Sequence, residues 1–266
     1  LEAMLSLISD LQSSRSIGAK ENFLADVQKA KADWEAKLAP RLNSREAPFT
    51  SQFPLKILRE VLPRDGIVTV GSGNTQGAVK QAFPVYEPRT HLTSGSFSPM
   101  GWALPAALGA KLAMPDRKVV AILGDGDFMM CAPEIGVAAM HDIAVVFLVQ
   151  NNSGYMSIRG GQRKFQGRHV GSEFNRDGGN GEPYTADLAM LAKSFGLPAW
   201  RITEADALKP ALQAALDSDG PALVEVMTSR DAAGPFADGW WDFPSPAYYE
   251  AEQAAYAEMR AKEQHL

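Results

Sequence analysis

The sequence has one cysteine, Cys131, in 266 residues. An internal disulfide is therefore excluded, and a reducing, cytoplasmic setting is the expectation. The four histidines, His91, His141, His169 and His265, show no spacing of metal ligands. Positive charge is scarce: 26 Lys and Arg face 31 Asp and Glu, for a formal net charge of −5. Nucleic acid rewards the opposite balance, so it is not an expected partner. No apolar run approaches the roughly 18 residues a membrane helix needs, and no membrane span is expected. The opening Leu1-Glu2-Ala3-Met4-Leu5 has no basic n-region, which argues against a signal peptide. It also lacks an initiator Met and begins in mid-helix pattern. The expectation is the C-terminal part of a longer polypeptide, or a processed subunit. No GxxxxGK[ST] occurs, so a nucleotide-hydrolase reading fails.

The 45% apolar and 21% charged residues fit one large globular domain with appendages. Residues 1–47 read as a helical segment and connector, with Phe23, Val27, Ala30, Trp34 and Leu38 at helical spacing and Pro40 as the expected stop. Residues 48–233 alternate between strand and helix. Strands are predicted at 66–70, 91–93, 118–124, 144–151, 199–203 and 221–228. Helices are predicted around Leu55–Leu62, at 75–83, 99–112, 133–140, 185–195 with Thr185 as N-cap, and 206–217. Apolar strands alternating with amphipathic helices predict an α/β fold: a doubly wound, mostly parallel sheet with helices on both faces. Two stretches fall outside that rhythm. Residues 153–184, with eight glycines, read as one long loop. Residues 234–266 form a tail with Phe236, Trp240, Trp241, Phe243, Tyr248 and Tyr249, read either as a lid or as plain packing.

The most telling motif is Gly124-Asp125-Gly126 at the end of one apolar strand and Asn151-Asn152 at the end of the next, with Asp125 and Asn152 27 positions apart. In a parallel sheet both turns open at the carboxyl edge, where such sheets bind ligands. A carboxylate and an amide oxygen converging there suit a magnesium ion that takes its other ligands from phosphate. The bland alternative is two unrelated turns. Gly71-Ser72-Gly73-Asn74-Thr75-Gln76-Gly77 after the 66–70 strand superficially suggests a dinucleotide site, but its spacing is GxGxxxG rather than GxGxxG.

These motifs resemble the thiamine-diphosphate-dependent enzymes of the acetolactate synthase and 2-oxo-acid decarboxylase group. The likeness lies in their C-terminal diphosphate-binding domain and runs from about Phe49 to Ser229, with residues 1–40 like the end of a central domain. The resemblance implies thiamine diphosphate and Mg2+ as cofactors, with Asp125, Asn152 and the Gly154 carbonyl as metal ligands. It places Gly73, Asn74, Thr75, Gly124, Gly126, Asn152 and Tyr155 at the cofactor. Asp127 stands where the family has Ser or a small residue, and a second carboxylate beside a diphosphate is unfavourable unless it turns away. In Gly95-Ser96-Phe97-Ser98-Pro99-Met100-Gly101, the resemblance makes Met100 the wedge between the cofactor rings and the Ser98 carbonyl an acceptor for its amino group. Taken alone, Met100 reads first as helix-start core packing; beside the metal motif, the wedge is the reading.

The implied activity is cleavage or formation of C–C bonds next to a carbonyl, on a 2-oxo acid or an acyl-CoA. A 2-hydroxyacyl-CoA lyase or oxalyl-CoA decarboxylase type is one alternative. A nicotinamide-dependent oxidoreductase or a non-catalytic relative is another. The family's activating glutamate belongs to a pyrimidine-binding domain that these residues do not include. The expected partners are therefore that domain, the central domain and further copies in a dimer or tetramer. FAD stays open, because its site would lie mostly in the central domain. The basic cluster Arg159, Arg163, Lys164, Arg168 and His169 reads either as a contact for an acidic substrate or as a solvated charged loop.

Overall fold

The computed structural model describes residues 20–176, 181–232, 234 and 250–263. The chain divides into two compact units, Leu1–Asn43 and Ser44–Leu266. In the first, helix α1 (Lys20–Leu42) runs through Pro40 rather than stopping there. Pro40 lies in the last turn, where its missing N–H removes only one helical bond. The Asn43 backbone N–H and side-chain amide both close the end on the Ala39 carbonyl, at 3.0 and 2.8 Å.

The second unit runs α2 (Gln52–Val61), β1 (Ile67–Val70), α3 (Asn74–Ala82), β2 (His91–Thr93), α4 (Ala103–Ala113), β3 (Val119–Gly124), α5 (Asp125–Met129), α6 (Glu134–Met140), β4 (Val145–Asn151), α7 (Met156–Gln166), α8 (Leu188–Ser194), β5 (Ala199–Ile202), α9 (Ala205–Asp217) and β6 (Ala222–Met227), with α10 (Glu250–Glu263) after the tail. The six strands form one parallel sheet in the order β2-β1-β3-β4-β6-β5.

Every residue of β4 is buried, and so are the first five of β3. That is why these strands read as unbroken apolar runs: helices cover both faces. Val119, Ala121, Leu123, Val145, Phe147 and Val149 pack with α4, α5, α6 and α8 in one core layer. The alternate residues, such as Val120, Ile122, Val146 and Leu148, point to the other face, where α9 packs on α2 and on β4, β5 and β6. Phe147 is fully buried in the first layer. Phe147→Ala is therefore expected to destabilise the protein by about 3–5 kcal/mol, read from urea unfolding; a loss well under 1 kcal/mol would contradict this packing.

Four expectations change. The 153–184 segment is not all loop, because α7 fills its first third despite Gly160 and Gly161. The turn after β3 runs straight into a short helix, α5, where no helix was expected. Helix α4 begins at Ala103 rather than near Pro99, since Gly101 at φ +83° is left-handed and breaks the entry. Asp187, not Thr185, caps α8: its carboxylate accepts from the Met190 N–H at 2.7 Å. The Thr185 hydroxyl is instead bonded to that of Ser153. The aromatic residues of the tail, Phe236 to Tyr249, lie outside the described residues.

Candidate functional site

The strand order reverses between β1 and β3: the chain leaves β1 for β2 on one side and returns to β3 on the other. Loops diverge at such a switch point and leave a crevice at the carboxyl edge. The tips of β1 and β3, with that of neighbouring β4, surround a cavity of about 410 Å³. Gly73, Asn74, Thr75, Met100, Gly124, Asp125, Gly126, Asp127, Asn152, Gly154 and Tyr155 all line it. Ser98 stands on the adjoining loop at φ +44°, its hydroxyl accepting from Gln76 Nε2 at 3.1 Å and lying 3.4 Å from the Ser72 hydroxyl.

Gly124 pairs with Gln150 in the β3–β4 register, so both strands end at the same level. The Gly154 N–H donates to Asp125 Oδ2 at 3.0 Å and ties the two tips together. One terminal atom of the Asn152 amide lies 3.2 Å from Asp125 Oδ1 and 3.0 Å from the Gly154 carbonyl oxygen. With nitrogen in that position, the amide donates to both oxygens. With oxygen there, three oxygens face one another, an arrangement favourable only around a cation. Octahedral ligands at about 2.1 Å from a magnesium ion lie about 3 Å from one another, and the Asn152 amide has that spacing to each of the other two groups. Among the described residues no group of three or more His, Cys, Asp or Glu could hold a metal. The donor set is thus one carboxylate with two neutral oxygens, suited to a hard cation whose shell a ligand completes.

Asp125 is 4% exposed. Burial pushes its carboxyl from 3.8 up to about 6, opposed by backbone N–H groups of Gly154, Asp125 itself, Asn152 and Gly126. A carboxylate held uphill in this way gains from a bound cation.

Asp127 is also buried, and its carboxyl is raised by burial against two hydrogen bonds. Its oxygens are already engaged: Oδ2 accepts from the Ser72 N–H at 2.9 Å, and Oδ1 from the Gly101 N–H. It therefore links the β1 tip to the loop carrying Met100. A Cβ on Gly71 would sit 1.8 Å from Asp127 Oδ2, so that glycine makes room for the link.

Tyr155 packs edge-on against Phe174, with ring centroids 4.9 Å apart, and lies over Gly126. A Cβ at Gly126 would come within 2.5 Å of the Tyr155 ring. Gly126→Ala is expected to displace Tyr155 and weaken binding of a ligand in this cavity about tenfold, the scale on which a small misplacement matters. Calorimetric titration checks this; unchanged affinity would contradict it.

The N-termini of α3 and α7 border the cavity, since Asn74, Thr75, Met156, Ser157 and Ile158 line it. Helix starts offer free N–H groups and a positive dipole end, which favour an anion. The contribution of α7 was not legible in the sequence, where its paired glycines suggested a loop.

Two further supports were missed. Glu225 on β6 is fully buried and accepts from Asn151 Nδ2 at 2.6 Å and from the Ala189 N–H at 3.1 Å. Asn151 Oδ1 in turn accepts from the Ser153 N–H at 3.1 Å, holding Ser153 at φ +57°. A glutamate inside the apolar strand Ala222–Met227 was the available signal, because a buried carboxylate needs partners. The second support, Arg230, left no such signal.

Of the basic cluster, the Lys164 side chain lies outside the described residues, and the other four members do not share one surface. Arg159 is turned inward: it pairs with Glu173 through Nε, with Asp231 at 2.9 Å, and donates to the Arg230 carbonyl at 3.0 Å. His169 Nδ1 lies 3.2 Å from Glu173, while Arg163 and Arg168 are exposed.

Residues 71–226 match the family model described as thiamine pyrophosphate enzyme, C-terminal TPP binding domain. The chain is 34% identical over 176 residues, 66% of its length, to acetolactate synthase 2 of Brassica napus. It is likewise 34% identical over 183 residues, 68% of its length, to the acetolactate synthase large subunit of Corynebacterium glutamicum. These matches span 28% and 29% of the two relatives. Among solved structures, the thiamine diphosphate-dependent 4-hydroxybenzoylformate decarboxylase of Rhodococcus jostii RHA1 superposes with a TM-score of 0.61 at 28% identity, over 69% of this chain and 33% of that one.

Proposed function

Because this chain belongs to the thiamine pyrophosphate enzymes and carries their C-terminal TPP binding domain, we propose that it is the cofactor-holding part of an acetolactate synthase-like carboligase or 2-oxo-acid decarboxylase. The observation that carries the reading is the meeting of three groups at the β3 and β4 tips: one terminal atom of the Asn152 amide lies 3.2 Å from Asp125 Oδ1 and 3.0 Å from the Gly154 carbonyl oxygen, so that turning the amide oxygen inward completes a hard-oxygen donor set. It stands beside a cavity bordered by helix N-termini.

In this reading, Asp125, Asn152 and the Gly154 carbonyl hold Mg2+. Gly73, Asn74, Thr75 and Gly126 line the place of the diphosphate and offer it N–H and side-chain donors. Gly124 and Tyr155 shape the wall. Met100 would be the apolar residue packed against the cofactor rings, and the Ser98 carbonyl, on its left-handed backbone, would be an acceptor for the aminopyrimidine. Asp127 serves by holding these loops together, with its charge already occupied. Thiamine diphosphate, when bound, supplies the electron sink for breaking or making a C–C bond next to a carbonyl. Held by these residues, a metal would serve to anchor the diphosphate rather than to polarise the substrate. The pyrimidine-binding and central domains, and a partner copy, complete the active site around a 2-oxo acid.

Calorimetric titration of the complete enzyme with thiamine diphosphate tests the reading. Binding is expected in excess Mg2+ and its loss in excess EDTA, while NADH gives no heat. Cofactor binding indifferent to EDTA, or NADH binding that depends on Gly71 and Gly73, would overturn it.

A further inference from the structure

The turn that carries Asn152 and Gly154 has a cation on its outer side. Arg230, three residues beyond β6, donates from Nη2 to the Ser153 carbonyl at 2.7 Å and to the Phe174 carbonyl at 3.1 Å. From Nε it reaches the Asn152 carbonyl at 3.4 Å, and from Nη1 the Asn175 side-chain oxygen at 2.7 Å. These four partners are all neutral oxygens. Two are consecutive carbonyls of the turn, and two belong to the segment that pairs with it through the Gly154–Glu173 bridge. The Arg230 carbonyl is itself held by Arg159 at 3.0 Å.

Ser153 has a left-handed backbone, uncommon for a residue with a side chain, and persists only when its surroundings fix it. On the sheet side, Asn151 fixes its N–H. On the outer side, Arg230 takes the carbonyl of the residue before it, Asn152, and that of Ser153 itself. A planar guanidinium fork can satisfy several oxygens at once in fixed directions, which a lysine ammonium on a flexible stem cannot do.

We propose that Arg230 is a positioning residue: by clamping the Asn152 and Ser153 carbonyls to the Phe174–Asn175 segment, it sets the direction in which Asn152 and Gly154 present oxygen to the cation. This rests on the proposed metal role of those two residues. Arg230 does not itself line the cavity, and at Asn152 it holds the backbone carbonyl rather than the side-chain amide, so its effect is on affinity and not on the bond-making step.

The test compares the complete enzyme with its R230K, R230A and D231N forms. Calorimetry with Mn2+ and thiamine diphosphate gives the affinity, thermal unfolding without ligands gives the stability, and steady-state rates are measured at saturating cofactor. R230K and R230A are both expected to weaken metal-dependent cofactor binding by about 10–100-fold, as loss of an outer-shell partner does, with the saturated rate within about twofold of the parent. D231N breaks an ion pair of Arg159 on the same surface without touching the turn, and is expected to bind as the parent does. Unchanged affinity in R230A with a lowered melting temperature would make Arg230 a fold contact only and overturn the inference. Full rescue by lysine would overturn the clamp geometry. A parent enzyme that binds the cofactor without any divalent cation would overturn the metal reading instead, whatever the variants do.

Discussion

Asp125→Asn is expected to abolish magnesium-dependent retention of thiamine diphosphate and, at the same time, to make the cation-free protein more stable at neutral pH. Both effects come from one fact: the carboxyl is buried and raised from 3.8 to about 6. A group whose pKa is higher folded than unfolded favours the folded state while protonated. Its contribution is complete below 3.8 and is lost as pH rises through 6. At pH 7.5 the cation-free protein therefore carries a buried charge whose burial outweighs its backbone hydrogen bonds, at a net cost on the order of 3 kcal/mol. Asn removes the charge and keeps an acceptor for the Gly154 N–H. The melting temperature of the cation-free protein is expected to rise by about 5–10 °C at pH 7.5, and the gain to shrink as pH falls toward 4. Cofactor affinity is expected to drop more than about 100-fold, beyond what an outer-shell loss costs. In the parent, a proton competes with the cation below pH 6, so affinity weakens there. Scanning calorimetry and binding titrations at two pH values read both effects. An Asp125→Asn form that melts below the parent, or binds cofactor as tightly, would contradict the assignment.

The second large effect belongs to Asp127. Asp127→Ala leaves the Ser72 and Gly101 N–H groups without their acceptor and is expected to cost about 1–3 kcal/mol. The loop bearing Ser98 and Met100 then loses its tie to the β1 tip, and cofactor affinity is expected to fall at least about tenfold. Asp127→Asn keeps one acceptor and turns a donor toward the other N–H, so it should fall between the parent and the alanine form. Urea unfolding and calorimetry on the complete enzyme check both. Wild-type affinity in Asp127→Ala would show that the two loops are placed without it.

The strands, and the meeting of Asp125 and Asn152 at one edge of the sheet, were legible because each rests on local pattern. Val119–Leu123 and Val145–Val149 are apolar runs of strand length, and the polar residues at their ends mark the carboxyl edge of a parallel sheet. Helix α7 was not legible because Gly160 and Gly161 lower its propensity, and it is tied down by Arg159 and Gln162 on either side of them, through bonds to Glu173, the Arg230 carbonyl, the Val170 carbonyl and Ser172. The cap of α8 was misplaced by two residues because Thr185 and Asp187 are both good caps, and the Ser153 hydroxyl draws Thr185 away. The braces of the site were hidden for a different reason. Asp127 with Gly101, Glu225 with Asn151, and Arg230 with Asn152 join residues from separate strands and loops. Their pairing exists only once the sheet has set the order of its strands.

The central claim is that the tips of β3 and β4 jointly hold a divalent cation that tethers the diphosphate. Anomalous diffraction from crystals of the complete enzyme, grown with Mn2+ and thiamine diphosphate, tests it most directly. The expected result is one strong peak within bonding distance of Asp125, the Asn152 side-chain oxygen and the Gly154 carbonyl, next to cofactor density in the cavity that Gly73 and Gly126 line. Cofactor density with the metal bound elsewhere, or with Asn152 turned to donate to Asp125 and no metal between them, would contradict it.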